Sequence, residues 1–243
     1  MNHFIINSGK DLNNYIVDDA SQDSGTPGFE YNPCAHSTNI SVYFKNIEQE
    51  LITKINEADA VFGAVAWMTN PKIISAISRK RASIIVQKED FLRPDMEDKG
   101  DWKANLRKSY DKINGFDRFE IGGLVANLSY CGDPSIEGVR CVGNHNSDKN
   151  PAFPRMHNKF MVFAKMVDSD KSEFIPKVVE PYAVWTGSFN FTANATNSLE
   201  NAVYITDPKI VSAFFVEFSK IVALSEPLDW TSNWCAPEWR IGS

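Results

Sequence analysis

Apolar residues in this chain follow two rhythms, and their alternation narrows the fold to a layered α/β arrangement. After Tyr43, the residues Phe44, Ile47, Leu51, Ile55 and Ala58 recur at three- and four-residue steps, which marks one apolar face of a helix. AVFGAVAWM (60–68) is then apolar without interruption, as a strand covered on both faces is. Asn70 followed by Pro71 signals a helix start, because proline at the first helical position gives up an N–H that has no partner there. That helix leads to ASIIVQ (82–87), a second buried strand. Apolar strands alternating with one-sided helices bury their surfaces when helices cover the faces of a sheet, so the expected class is a layered α/β fold.

The second half continues this pattern less regularly. DWKANLRKSYDKI (101–113) reads as an exposed helix, and GGLVANLSY (122–130) and VRCVG (139–143) as short strands. Residues 143–154, crowded with Gly, Asn, Asp and Pro, read as a loop. NKFMVFAKM (158–166) and YAVWTGS (182–188) are apolar strands, and the polar DSDKSE between them suggests a hairpin turn or an insertion. LENAVYIT (199–206) is the next strand. Asp207 and Pro208 then open a helix whose Val211, Phe214, Phe215, Phe218, Ile221 and Val222 form a core-facing stripe. The chain divides into a polar arm of irregular or short edge elements (1–40), a main domain (41–224), and a tail (225–243). The tail carries Trp230, Trp234 and Trp239, which are expected to pack onto the body or a partner.

Composition removes several classes. With 243 residues, 43% of them apolar, the chain can bury a sizeable core, which excludes disorder and collagen. The formal net charge of −6 argues against coating nucleic acid through overall charge, but leaves room for a local basic cleft. No apolar run approaches the roughly 18 residues that span a bilayer, and MNHFIINSGKDLNNY lacks the cationic and apolar halves of an export signal, so a cytoplasmic setting is expected. Cys34, Cys131, Cys141 and Cys235 are then expected as reduced thiols. Cys131, Cys141 and His145 lie within fifteen residues, and Cys34 lies beside His36, but this is no familiar zinc spacing and no metal or other cofactor is expected.

The chemistry concentrates in His157-Asn158-Lys159, in Gly187-Ser188-Phe189-Asn190-Phe191-Thr192, and in Ser198-Leu199-Glu200-Asn201-Ala202. On a strand, His157 and Lys159 project from one face, pairing a base or nucleophile near neutral pH with a permanent cation. Ser188 and Asn190 are likewise two apart and can direct a hydroxyl and an amide at an oxyanion. Glu200 can take the proton of the second imidazole nitrogen and fix its tautomer. A nucleophile, its orienter and donors for non-bridging oxygens are the parts that attack on a phosphodiester requires. Arg155 and Lys165 flank the histidine and can bind neighbouring phosphates or simply face water, while Arg79, Lys80 and Arg81 suit a helix C-terminus.

These residues resemble the phospholipase D superfamily, whose motif reads H-x-K-x4-D-x6-G-S-x-N. They are most similar to its small single-motif bacterial endonucleases, in which G-S-x-N-F-T is followed by S-x-E-N-A; the match covers about 157–206. The resemblance implies an α-β-α sandwich with a mixed sheet and one H-x-K/G-S-x-N motif per chain. It implies that His157 attacks phosphorus to form a phosphohistidine, that Lys159, Ser188 and Asn190 hold phosphoryl oxygens, that Glu200 orients His157, and that no metal is needed. It also implies two histidines per site, and His3, His36 and His145 all lack the lysine two residues later. A two-fold homodimer bringing two copies of His157 together satisfies that count.

Two departures stand out. The aspartate of the motif falls on Ala164, with Asp168 and Asp170 out of register, and the stretch from Lys159 to Gly187 is longer than the pattern, as if 167–181 extended a hairpin. The expected function is a metal-independent phosphodiesterase cleaving nucleic acid, DNA before RNA. The rivals are a phospholipid phosphodiesterase or phosphatidyl transferase, and a weakly active DNA-binding subunit of a restriction or anti-phage assembly. No helix-turn-helix, finger spacing or separate basic domain is visible, so specificity would come from a partner protein.

Overall fold

The computed structural model describes residues 4–6, 11–17, 34–92, 101–129, 132–145, 153–169 and 174–241. Phe4–Ile6 (β1) and Tyr15–Val17 (β2) pair with each other, apart from the main sheet. Cys34–His36 (β3) pairs with Ile40–Tyr43 (β4), so the main sheet takes in part of the polar arm. Ile47–Glu57 (α1) follows, with Ile47, Leu51 and Ile55 on its buried side, Glu48 and Glu50 in its first turn and Lys54 in its last, in line with the helix dipole. Phe44, expected on that helical face, lies ahead of it and is exposed, because Asn46 takes a left-handed conformation (φ 56°) and the helix begins only after it.

Ala60–Val65 (β5) and Arg81–Gln87 (β6) are the buried strands expected from their runs, and Pro71–Ile77 (α2) joins them. Asn70 caps α2, its Oδ1 accepting from the N–H groups of Lys72 and Ile73 at 2.9 and 3.4 Å, while its Nδ2 donates to Glu48 of α1 at 2.6 Å. Trp102–Tyr110 (α3) is the anticipated helix, with Leu106 and Tyr110 buried.

Residues 122–129 depart from the expected strand, and Tyr130 lies outside the described residues. Phe116–Asp117 (β7) runs into Arg118–Ile121 (α4) through a capping box: Asp117 accepts from Phe119 N–H at 2.9 Å and Glu120 accepts from Asp117 N–H at 3.0 Å. Gly123–Ala126 (α5) adds another helical turn, leaving only Leu128–Ser129 (β8) extended. An apolar run this short does not distinguish helix from strand by periodicity, and the cap upstream decides it.

Ser135–Ile136 (β9) pairs with β7, and Val139–Val142 (β10) joins the main sheet. Lys159–Asp168 (β11) and Lys177–Gly187 (β12) form a long antiparallel hairpin, which accounts for the extended spacing between the two halves of the motif. Ala202–Ile205 (β13) and Pro208–Ala223 (α6) follow; Asp207 caps α6 by accepting from Lys209 and Ile210 N–H at 3.0 and 3.1 Å. Arg240–Ile241 (β14) pairs with β8.

The main sheet runs β10-β6-β5-β11-β12-β13-β4-β3; β10, β6 and β5 are parallel and the other neighbours antiparallel. Its two faces follow the period-two alternation of the strands. Val61, Val65, Met161, Phe163 and Trp185 pack with Leu51 and Ile55 of α1 and Ile73 and Ile77 of α2. Phe62, Ala64, Phe160, Val162 and Val184 pack with Val211, Phe218 and Val222 of α6 and Val125 of α5. The result is the expected α-β-α sandwich with a mixed sheet.

The tail is strapped to this body by two buried cations. Lys88, wholly buried, lies 2.5 Å from Glu226 and donates to the carbonyls of Ser232 and Trp234 at 3.1 and 2.7 Å. Arg140 donates to Ser225 Oγ and Glu238 at 2.9 and 2.6 Å and lies 3.7 Å over the ring of Trp239. Trp230 and Trp239 are buried, whereas Trp234 is exposed.

Candidate active site

One edge of the sheet gathers the ends that matter: the C-terminal ends of β5, β6, β10 and β12 and the N-terminal ends of β11 and β13. In open sheets, ligands bind beyond the carboxyl ends of the parallel strands, where this edge lies. His157 is exposed just ahead of β11, and Lys159 begins that strand. Asn158 is pinned between them, its carbonyl accepting from Ala66 N–H at 2.9 Å. Lys159 Nζ lies 3.4 and 3.5 Å from the two ring nitrogens of His157 and donates to its carbonyl at 3.1 Å.

Ser188 reaches the edge at the end of β12, where Gly187 crosses close over Asn201. A Cβ on Gly187 would sit 2.2 Å from the Asn201 carbonyl oxygen, so only glycine permits the approach. Ser188 Oγ accepts from Asn201 N–H at 3.0 Å and donates to Glu200. Asn190 makes no capping bond through its side chain; its Oδ1 is buried without a hydrogen-bond partner among the described residues.

The expected contact between Glu200 and His157 is absent among the described residues: the crossing at Gly187 brings Ser188 Oγ to the Glu200 carboxylate instead. Glu200 still acts on the site through charge, since its carboxylate favours the protonated form of Lys159. Burial outweighs that effect and, with the Arg155 guanidinium, holds Lys159 below the usual lysine range. Burial, then the cations of Lys159 and Arg155, hold His157 below 6.5, which favours the neutral ring. Arg155 therefore belongs to the site electrostatically. Replacing it by glutamine removes one of those cations and should move the titration of the His157 ring, followed by NMR, to higher pH; an unmoved titration would separate Arg155 from the site.

Lys165 falls outside the site. It lies towards the other end of β11, donating to the Glu57 carbonyl at 2.8 Å and facing Asp59 at 3.6 Å. Arg79, Lys80 and Arg81 are structural: Arg79 donates to Ser75 Oγ at 3.2 Å, Lys80 donates to the carbonyls of Asn56 and Ala58 at 2.8 and 2.7 Å at the C-terminal end of α1, and Arg81 pairs with Glu120 at 2.5 Å. Ala164 stands about 17 Å along β11 from Lys159 at the usual strand rise. It is buried in the apolar layer under α6, where a carboxylate would be costly. Asp59 supplies a carboxylate nearby, accepting from Met166 N–H at 3.2 Å.

No group of three metal-ligating side chains occurs among the described residues. Cys131 is outside those residues. Cys141 is buried, which pushes its thiol up, and His145 is buried against Trp230.

Sequence reasoning missed two groups. Trp67 packs its ring against His157 at 5.2 Å, lies 5.7 Å from Lys159 Nζ, and is fixed by donating to Glu89 at 2.9 Å. Gln87 accepts from Met156 N–H at 2.7 Å and donates to the Asn144 carbonyl at 2.7 Å, tying the approach to His157 to the end of β6. The available signal was the position of both at the C-terminal end of an apolar strand.

A family model described as "Cardiolipin synthase, PLD-like domain" matches residues 128–222. An uncharacterized protein of Acanthamoeba polyphaga mimivirus is 32% identical over 211 residues, covering 80% of this chain and 69% of the viral protein. Among solved structures, NucT from Helicobacter pylori aligns at 17% identity with a TM-score of 0.47, over 77% of this chain and 98% of that one. Nuc from Salmonella typhimurium, a phospholipase D family member, aligns at 19% identity with a TM-score of 0.43, over 79% of this chain and 99% of that one.

Proposed function

We propose that this chain, a member of the phospholipase D superfamily, is a phosphodiester hydrolase whose substrate is nucleic acid, DNA before RNA, cleaved at a site completed by a second copy of the chain. The observation that carries this reading is a histidine whose neutral form is favoured, set between Lys159 and Arg155 at an open sheet edge. Neutral His157 attacks phosphorus, a nitrogen–phosphorus bond forms, and the bond to the leaving oxygen breaks. Lys159, Ser188 and Asn190 hold the non-bridging oxygens. The leaving oxygen needs a proton, and then water must displace the histidine.

That proton requires a second imidazole beside the first. His36 lies on the far strand β3, bonded to Ser41 of β4, and His145 is buried against Trp230, so neither of these described histidines serves. An isologous dimer supplies the second His157. Glu200, bonded to Ser188 within one chain, orients the hydroxyl in this state. The dimer is expected in an active preparation by light scattering; activity that stays with a monomer overturns this part.

The family model's description favours a second reading, a phospholipid phosphodiesterase or phosphatidyl transferase. No described helix is long and apolar enough to cross a membrane, which leaves peripheral access to lipid as the route for that reading. Labelled single- and double-stranded DNA, RNA and phospholipid vesicles, each in excess EDTA, separate the readings. Chelation-resistant cleavage of DNA supports the first, and turnover of lipid alone replaces it with the second. A cytoplasmic setting and a partner protein supplying specificity belong to the same proposal.

A further inference from the structure

Two large aromatic side chains stand in solvent beside the catalytic edge: Phe153 is 71% exposed and Trp234 70% exposed. They come from segments far apart in the chain, yet one asparagine joins them. Asn144 Nδ2 donates to the Phe153 carbonyl and Asn144 Oδ1 accepts from Cys235 N–H, both at 2.8 Å. Backbone bonds double each link: Asn144 N–H donates to the Pro154 carbonyl at 2.9 Å, and His145 N–H donates to the Asn233 carbonyl at 2.8 Å. Buried Lys88 holds the Trp234 carbonyl at 2.7 Å.

Both rings are thus exposed while their backbones are fixed, which lowers the entropy lost when a ligand stacks on them. The guanidinium of Arg155 lies 5.5 Å from the Phe153 ring, and His157 follows two residues later. A cation beside exposed aromatic rings is the arrangement that receives unpaired nucleobases, whose faces are free to stack; in a duplex those faces are covered by neighbouring pairs. With a net charge of −6, the chain draws little on general attraction for phosphate, so affinity must come from such contacts.

We propose that Phe153 and Trp234 form a stacking platform for a single-stranded nucleic acid, which it leads past Arg155 to His157. The proposal rests on the nucleic-acid reading of the site and adds the strand class and two specificity residues.

The test measures binding of fluorescein-labelled oligodeoxythymidylate, and of a duplex of equal length, by anisotropy in a His157→Ala background, so that cleavage does not intervene. Tighter binding of the single strand is expected. Phe153→Ala and Trp234→Ala should each weaken it by about tenfold, with little effect on duplex, and Phe153→Tyr and Trp234→Phe should restore it. Equal affinity for both forms, no binding of either, or alanine variants that bind like the parent overturns the platform. Loss of the dimer in Trp234→Ala also overturns it, assigning that ring to a subunit contact. Single-strand binding without cleavage by the unsubstituted protein would remove the nuclease reading and leave the platform standing.

Discussion

Substituting His157 with alanine is expected to lower phosphodiester cleavage by about 10⁴-fold or more, the scale seen when an enzyme loses its nucleophile. In the proposed mechanism Lys159, Ser188 and Asn190 remain to hold the phosphoryl group, but none replaces an imidazole lone pair whose protonation is disfavoured by its surroundings. Substrate binding should survive, because the cations are untouched, so the loss belongs in kcat rather than KM. The proposed sharing of the site between two copies adds a second expectation. If each reaction draws on one imidazole from each subunit, a dimer holding a single His157 is inactive as well. Equal amounts of parent and variant, allowed to exchange subunits, should then retain about one quarter of the activity rather than one half. Retention of one half, with exchange confirmed by mass, would show that each chain works alone.

The largest expected effect on stability comes from Lys88→Met. The ammonium of Lys88 is wholly buried, 2.5 Å from Glu226, which is itself 5% exposed. Removing one partner leaves the other charged in a medium that solvates it poorly, at a cost of about 3–5 kcal/mol. For a domain of this size that corresponds to a fall of about 10 °C in Tm, read by calorimetry or circular dichroism. Lys88→Met combined with Glu226→Met removes both charges and should recover part of the loss. A Tm within 2 °C of the parent (about 1 kcal/mol or less) for Lys88→Met alone would show that the pair contributes little.

Much of the fold was legible because its signals are local. The spacing of Ile47, Leu51 and Ile55, the Asn70-Pro71 and Asp207-Pro208 starts, and the unbroken apolar runs of β5 and β6 each report burial or capping within a few residues. GGLVANLSY misled because a short apolar run satisfies either period, and the deciding capping box lies upstream at Asp117. In the site, the motif residues were legible from their spacing along strands, but their partners were not. Which strand lies beside β11 is a matter of sheet order, so Trp67 at the end of β5 carried no mark of its contact with His157. The bond from Ser188 to Glu200 likewise depends on how closely Gly187 crosses Asn201, a distance that no spacing reports.

The tail strap also couples distant parts of the chain to the site. Lys88 lies far ahead of its partners in the chain, and among the described residues its buried charge is answered by Glu226, the carbonyls of Ser232 and Trp234 and the face of Trp230. The neighbouring residue, Glu89, holds Trp67 against His157. A variant cut before Glu226 would carry the whole H-x-K and G-S-x-N motif but lack the partners of Lys88, the residue next to the one that holds Trp67. The strap and the wall of the site thus meet at two consecutive residues, so a loss at Glu226 is expected to reach the Trp67 ring that packs on His157.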